Sequence, residues 1–301
     1  MTPWRRIDKK TLPDLRKHYL QFDPYCHLNI VDMWSYRGGK NYWFKIGDTT
    51  AYKLNDYMDN SYYVTLLGRD SAIAVIQELC RENNDKTLTL QCLPHETLES
   101  LGQWDAIIEV AEDHDNHDYV FEVGSLIHFS SPSLKHKHRS YKKLIKKHPG
   151  LEVKILDIRK KSVRRLMYRV YQRWVQQTNP PDWDKEYLAL KRALNLDLAD
   201  LKCIGVFDGQ KLIGFTVNEE EPNGYYQAFF GKADRAYPGL GLLLEHETAK
   251  YFQEYHNSKF MNLQCDSGIE GLRNYKTSMG PHKKLKKYTV KIDTRRAIKT
   301  S

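Results

Sequence analysis

The sequence has few cysteines, and their spacing argues against two kinds of scaffold. The five cysteines are widely separated, and none forms a CxxC pair or a Cys/His cluster with zinc-finger spacing. An odd and scattered set of this kind is not typical of a disulfide framework or of a structural metal site. We therefore expect neither disulfides nor a bound metal.

Long apolar runs are also missing. The longest, AIAVI (72–76) and LGLLL (240–244), are far shorter than the roughly 20 residues that a bilayer-spanning helix needs. The opening segment MTPWRRIDKK has no apolar core that could serve as a signal peptide. The expected location is the cytoplasm.

Acidic charge is scarce in the second half of the chain. Residues 1–130 contain 13 Lys and Arg against 20 Asp and Glu, whereas residues 131–301 contain 34 against 18. The length of 301 residues suits two domains. A basic half of this kind favours a polyanionic partner, either tRNA, a nucleotide-bearing cofactor or anionic lipid.

Two pairs of short segments repeat in the same order. YYVTLLGRD (62–70) resembles YYQAFFGKAD (225–234), and KTLTLQC (86–92) resembles KFMNLQC (259–265). In each half, the two segments have the pattern of strands, with a predicted helix between them and a second predicted helix after the later one. The predicted second half ends in a closing strand, KYTVKI. The sequence thus predicts an α+β protein built by duplication.

The later copy carries charges that the earlier one lacks. Aligned on Cys92 and Cys265, four charged residues of the later helix fall opposite neutral ones, namely Asp266, Glu270, Arg273 and Lys276 opposite Leu93, Thr97, Ser100 and Gln103. Because the earlier copy keeps its apolar register without these charges, we interpret the four as catalytic candidates. Asp266 or Glu270 would take a proton from an attacking amine or hydroxyl group. Arg273 would stabilise the oxyanion that the attack forms. The alternative is a salt-bridged helix whose Ser267 and Glu270 form a capping box.

The turn before the predicted helix at 240–256 is a candidate site for donor phosphates. It offers two cations, Lys232 and Arg235, and two glycines, Gly239 and Gly241. The alternative is a plain Pro-Gly turn that leads into a helix.

A third candidate surface is a basic helix predicted at 134–148. Its seven cations are Lys135, Lys137, Arg139, Lys142, Lys143, Lys146 and Lys147. Apolar residues at helical spacing predict that one face of this helix is packed while the other remains positive. Such a face suits either a tRNA backbone or an anionic membrane surface.

Four segments carry a resemblance to a known family. They are CHLNIVDMW (26–34), LKHKHRSYKKLIKKHPGLEV (134–153), KADRAYPGL (232–240) and DSGIEGLRNYKTS (266–278). With them the chain resembles the phosphatidylglycerol lysyltransferase C-terminal domain family. The resemblance implies two tandem GNAT-like acyltransferase domains, each a mixed, mostly antiparallel sheet flanked by helices. Residues 1–125 would be a degenerate copy, and residues 126–301 would carry the active site.

The resemblance also implies a reaction. Members of the family move lysine or alanine from aminoacyl-tRNA onto lipid, so tRNA is the expected partner and aminoacyl-tRNA the co-substrate. The acceptor would be a lipid or an amine, and the protein would sit in the cytoplasm, in peripheral contact with the inner face of the membrane. The chain departs from the family pattern at Gly231, where a Glu is usual, and at Gln264-Cys265, where an acidic pair is usual.

The sequence is also compatible with two other functions. RAYPGLG (235–241) is similar to the glycine turn by which GNAT enzymes hold acetyl-CoA, with one extra residue before the first glycine, which indicates an acetyl-CoA-dependent N-acetyltransferase. The replaced acidic residues indicate instead a catalytically silent module that binds RNA or an anionic surface.

Overall fold

The protein contains two mixed sheets flanked by helices. A computed structural model describes residues 3–83, 85–197 and 200–299. The strands of the first half are β1 (Arg5–Arg6), β2 (Tyr42–Ile46), β3 (Thr49–Asn55), β4 (Tyr62–Leu67), β5 (Thr87–Pro94), β6 (Ile107–Glu112) and β7 (Asp118–Glu122). Its helices are α1 (Leu12–Tyr19), α2 (Ile30–Ser35), α3 (Ala72–Glu82) and α4 (His95–Ser100).

The second half follows the same general order. Its strands are β8 (Leu151–Ile155), β9 (Lys202–Asp208), β10 (Lys211–Glu221), β11 (Tyr225–Ala233), β12 (Phe260–Asn262), β13 (Lys283–Leu285) and β14 (Lys287–Asp293). Its helices are α5 (Val123–His128), α6 (Pro132–Lys147), α7 (Lys161–Thr178), α8 (Trp183–Ala193), α9 (Leu240–His256), α10 (Glu270–Ser278) and α11 (Thr294–Lys299).

Local sequence explains where several of these elements begin and end. The Ser131 side chain accepts a hydrogen bond from the Leu134 amide, and Pro132 follows it, so α6 begins there. Gly209, with a φ of +57°, forms the tight turn between β9 and β10. The predicted capping box at Ser267 and Glu270 is wrong, because α10 begins only at Glu270 and Ser267 makes no capping hydrogen bond.

The two sheets have matching topologies. Their strand orders are β1-β2-β3-β4-β5-β14-β6 and β8-β9-β10-β11-β12-β7-β13. Among the described strands, β4 pairs in parallel with β5 and β11 with β12, while the other neighbours are antiparallel. The predicted α+β class, with mixed and mostly antiparallel sheets, is confirmed.

Each half gives one strand to the sheet of the other half. Strand β7 lies between β12 and β13 in the second sheet, and β14 lies between β5 and β6 in the first. The predicted closing strand KYTVKI therefore completes the first sheet, which differs from its assignment to the second half. The domain boundary at residue 125 stays a prediction, and both exchanged strands cross it. Strand pairing over such distances along the chain leaves no mark in local periodicity.

A buried ion pair lies where the exchanged strands begin. The Lys287 ammonium is 2.6 Å from Asp118 Oδ1, and both side chains are completely buried. Asp118 Oδ2 also accepts hydrogen bonds from the Cys26 amide at 2.8 Å and from Asn262 Nδ2 at 3.2 Å. These extra hydrogen bonds offset part of the cost of removing two charges from water.

The halves also share an apolar core. One cluster of buried side chains includes Leu12, Tyr19 and Tyr52 from the first half together with Phe215 and Tyr225 from the second. The apolar cores of the two halves are therefore continuous. Within residues 3–83, 85–197 and 200–299, no helix combines the length and apolar character that crossing a bilayer would require.

We expect Lys287→Met to lower the free energy of unfolding by about 3–5 kcal/mol, because it leaves the Asp118 carboxylate buried without its cation. The measurement is urea unfolding. The matched control is Lys291→Met, since Lys291 pairs with Glu109 on the exposed face of the same strand, and its loss should cost less than about 1 kcal/mol. Equal costs for the two variants would contradict the structural role of the buried pair.

Candidate active site

The two parallel strands of the second sheet part soon after they meet. β11 and β12 pair only from Tyr225 with Phe260 to Gln227 with Asn262, although β11 runs on to Ala233. Beyond Gln227 the edge of β11 that faced β12 has no strand partner among the described residues. We call this opening the fork.

Irregular backbone surrounds the fork. The register of β10 against β11 shifts at Val217 and Asn218, which leaves Phe229 as a β-bulge. After β12 the backbone takes positive φ angles at Gln264 (+60°) and Ser267 (+50°). Bulges and left-handed non-glycine residues are enriched at functional sites, where the surrounding structure offsets their cost. The fork combines a bulge with left-handed non-glycine backbone and is therefore our candidate active site.

One carboxylate of the first half reaches the fork. Asp32, on α2, accepts hydrogen bonds at Oδ2 from Gln264 Nε2 at 2.7 Å and from Gln227 Nε2 at 3.2 Å. Its other oxygen, Oδ1, is buried and has no hydrogen-bond partner among the described residues. Burial raises the pKa of the Asp32 carboxyl well above its usual range, and the hydrogen bond from Gln264 counters this only in part. An acceptor oxygen in this state is suited to take a proton.

Aromatic rings of the first half pack against β11 near the fork. Tyr36, one helical turn after Asp32 on α2, stacks on Phe230 with ring centroids 5.6 Å apart. The ring centroid of Tyr57 lies 5.0 Å from that of Tyr36. These rings join the first half to the residue that follows the bulge of β11, so the surroundings of the fork come from both halves.

Three of the four predicted catalytic residues, Asp266, Arg273 and Lys276, lie close together beside the fork. Asp266 is completely buried and accepts hydrogen bonds from Arg273 Nη2 at 2.7 Å, the Tyr119 hydroxyl at 2.7 Å and the Gly268 amide at 3.0 Å. Although burial acts to raise it, the hydrogen bonds from Arg273 and Tyr119 hold the pKa of Asp266 below its ordinary value. Asp266 in this arrangement is a fully engaged anion.

Lys276 and Glu270 differ from each other in placement. The Lys276 ammonium is buried and donates to the carbonyl oxygens of Gln264 and Cys265. It therefore fixes the segment that presents Gln264 to Asp32. Glu270, on the exposed surface of α10, is the one member of the predicted set that the fold does not bring to this group.

The predicted phosphate turn is largely occupied by protein contacts. The Lys232 ammonium lies 2.7 Å from Glu186 Oε1 and 3.9 Å from the ring centroid of Trp174. Arg235 is exposed, and its amide donates to Gln177. Of the predicted cations here, Arg235 is the one directed to solvent.

The two glycines of this turn are used differently. Gly239 has a φ of +97°, and a Cβ there would lie 2.6 Å from the carbonyl oxygen of Ser140 in α6. The close approach of α6 thus requires glycine at this position. A Cβ at Gly241 would meet open space, and so would one at Gly231, where the resemblance leads us to expect Glu.

The basic helix is formed as predicted, as α6. Its buried residues are Leu134 and Leu144, and Lys137 lies 5.6 Å from the ring centroid of Tyr275 in α10. The six other cations are exposed and form no ion pair with any described residue; they are Lys135, Arg139, Lys142, Lys143, Lys146 and Lys147. The helix therefore presents a positive surface beside α10.

Comparison with models of protein families assigns the chain to a family. The model of the family described as phosphatidylglycerol lysyltransferase, C-terminal, matches residues 32–291. The chain belongs to this family. The match spans both sheets and includes Asp32, the fork and α10.

Solved structures agree with this family assignment. The chain is similar to a conserved protein of unknown function from Bacteroides thetaiotaomicron, with 19% identity, a TM-score of 0.83 and coverage of 97% of this chain and 100% of that one. The C-terminal domain of a lysylphosphatidylglycerol synthetase from Agrobacterium fabrum gives 11% identity, a TM-score of 0.64 and coverage of 97% and 96%. L-PGS from Bacillus licheniformis gives 12% identity, a TM-score of 0.59 and coverage of 95% and 92%. A search of curated protein sequences finds no significant match.

In this member of the phosphatidylglycerol lysyltransferase C-terminal family, one position that departs from the expected pattern, Gln264, contacts the candidate site. The Gln264 amide donates a hydrogen bond to Asp32, which an ionised Glu could not do. Sequence reasoning missed Asp32 and Gln227. Asp32 lies within the resembling segment CHLNIVDMW, but its contacts come from residues about 200 positions away. The family and the fold support acyltransferase chemistry.

We expect Asp266→Asn to lower the free energy of unfolding by about 2–3 kcal/mol at neutral pH, because charge-assisted hydrogen bonds are lost. The pKa of Asp266 is lower in the folded protein, so its stabilisation is present above the unfolded pKa and is lost as the pH falls through the folded pKa. The difference between variant and wild type should therefore narrow in acid. Urea unfolding across pH tests this, with Glu270→Gln as a control that should change little. A difference that is constant with pH would contradict the assignment.

Proposed function

We propose that this chain is an aminoacyltransferase that moves an amino acid from an aminoacyl-tRNA to the amine or hydroxyl of an acceptor, and that Asp32 is its general base. The observation that supports the proposal is the fork, where β11 has an unpaired edge beyond Gln227. Beside it, Gln227 and Gln264 hold Asp32 at Oδ2, and the other oxygen of that carboxyl has no partner among the described residues. The names of the lysylphosphatidylglycerol synthetase relatives support lipid as the acceptor class.

The reaction needs an oxyanion site, and the strand edge supplies donors. Backbone N–H groups of β11 beyond Gln227 are no longer bonded to β12. An ester carbonyl placed in the fork would receive hydrogen bonds from them as its oxygen becomes negative. The bulge at Phe229 alters the direction of these groups, as bulges near active sites do.

Asp32 supplies the proton transfer. The nucleophile of the acceptor gives its proton to Oδ1 and forms a bond to the ester carbon. The tetrahedral intermediate then expels the ribose hydroxyl of the tRNA, which takes up the proton from Asp32. Burial raises the pKa of the Asp32 carboxyl, which makes its ionised form a stronger base during the attack.

The remaining predicted residues take supporting roles in this proposal. Lys276, together with the Asp266–Arg273 pair, holds the segment from Gln264 to Gly268, so these three are positioning residues. The exposed cations of α6 would contact the phosphate backbone of the tRNA. Acetyl-CoA is less favoured as donor, since the carbonyl of Ser140 approaches Gly239 where a pyrophosphate would dock.

We expect Asp32→Asn to reduce transfer by about 10²–10⁴-fold, because the amide keeps the shape of the side chain but cannot accept the proton. The assay incubates the protein with a mixture of labelled aminoacyl-tRNAs and either anionic lipid vesicles or soluble amines. Glu270→Gln is the control and should retain activity. Transfer of acetyl groups from acetyl-CoA with none from tRNA would overturn the choice of donor, and tRNA binding without any transfer would indicate the silent binding module.

We expect the triple variant Lys142→Gln, Lys143→Gln and Lys146→Gln to weaken tRNA binding and to flatten its salt dependence. Each phosphate contact removed should reduce the slope of log affinity against log salt by about 0.7–0.9. The control removes two exposed lysines of the acidic half, Lys9 and Lys10, in the same way. Identical salt slopes for wild type and triple variant would show that α6 is not the tRNA surface.

A further inference from the structure

Four side chains of the types that can ligate metals converge at the buried ion pair. Cys26, His27, Asp118 and Cys265 each direct one donor atom into a group whose members all lie within 4.8 Å of one another. They come from three separate segments, namely the turn before α2, the start of β7 and the segment after β12. Their spacing along the chain matches no zinc-binding motif, so local sequence patterns do not indicate them.

We propose that Cys26, His27, Asp118 and Cys265 form a zinc site that joins the two halves next to the fork. Two sulfurs, one imidazole nitrogen and one carboxylate oxygen are a donor set that zinc accepts in tetrahedral geometry. Our expectation from the sequence was that the chain holds no metal, and this proposal departs from it.

The distances suit a small ion. Zinc–donor bonds of about 2.0–2.3 Å place neighbouring donors of a tetrahedron roughly 3.5 Å apart. The Cys26 sulfur lies 3.3 Å from His27 Nδ1 and 2.9 Å from Asp118 Oδ1. Because no pair of donors is more than 4.8 Å apart, side-chain adjustment is sufficient to close the site.

Surrounding groups already orient the carboxylate. The Cys26 amide and Asn262 Nδ2 both donate to Asp118 Oδ2, which leaves Oδ1 directed at the cluster. Fixing a ligand by outer hydrogen bonds of this kind is characteristic of metal centres.

Lys287 decides how the site would respond to a metal. Its ammonium lies 2.6 Å from Asp118 Oδ1, 2.9 Å from His27 Nδ1 and 3.3 Å from the Cys26 sulfur, so it occupies the space of a cation. Binding must displace this fully buried ammonium from Asp118 Oδ1, so in the zinc-bound protein the ion replaces Lys287 as the cation beside that carboxylate. Protons on the Cys26 and Cys265 sulfurs leave to solvent, because zinc binds thiolates. A zinc ion with two thiolates, one carboxylate and the nearby ammonium then sums to zero charge, which favours a buried centre.

The test is a titration of the tag-free, reduced, full chain with cobalt(II) and then zinc(II). We expect one cobalt per chain, with a thiolate-to-cobalt charge-transfer band and the visible absorption of a tetrahedral ion, and displacement of the cobalt by zinc. Cys265→Ser should weaken zinc binding by at least about tenfold and reduce the charge-transfer band. Cys265 is only partly buried, so this variant is better suited to folding than one at Cys26.

Two controls separate this site from other metal ligands. His114→Ala alters the second group of candidate ligands, Glu112, His114 and His117, which contains no sulfur, and should leave the charge-transfer band unchanged. Cys80→Ser removes a cysteine of α3 that lies outside the cluster and should also leave it unchanged. The readout is metal binding, so its result is independent of whether the chain transfers amino acids.

The proposal is overturned if wild-type protein shows no charge-transfer band at saturating cobalt, or if the band survives unchanged in Cys265→Ser. It is also overturned if Cys26 and Cys265 form a disulfide in air, detected as a loss of two hydrogen masses, while the reduced protein binds no metal.

Discussion

The buried contact between Asp118 and Lys287 is the constraint on which the arrangement of the two halves depends. Each residue begins a strand that completes the sheet of the other half, and neither charge has access to water. A buried charge separated from its partner is far more costly than a weak apolar contact. The two exchanged strands must therefore start side by side, and this fixes the two sheets relative to each other.

This mutual position creates the candidate active site. The fork belongs to the second sheet, but the carboxylate that faces it comes from α2 of the first half, and the amides that hold this carboxylate come from Gln227 and Gln264. Arg273 and Lys276 of α10 bond to the segment from Gln264 to Asp266 and so fix the position of Gln264. The candidate site is therefore shared between the two halves, although most of the Lys and Arg residues lie in the second.

Much of the fold could be predicted from the sequence. The repeat of strand, helix and parallel strand is confirmed in β4–α3–β5 and β11–α9–β12, because apolar periodicity and turn residues are local signals. The catalytic role of Asp266, Glu270, Arg273 and Lys276 stays a prediction, and the structure brings three of the four together while Glu270 lies on the exposed surface of α10. The exchange of β7 and β14 was missed, since pairing between strands about 170 residues apart depends on contacts that no short window contains.

The sequence by itself determined the class of fold, the duplication, the positive face of α6 and the family, all of which are encoded in neighbouring residues or in a recurrent pattern. The tertiary structure alone decided that Asp32 faces the fork, that Asp266 is engaged by Arg273 and Tyr119, and that two cysteines, a histidine and Asp118 converge. The reason is physical. Burial, hydrogen bonding and electrostatic pairing act between atoms a few ångströms apart, and the chain brings those atoms together only after both sheets have formed and exchanged their strands.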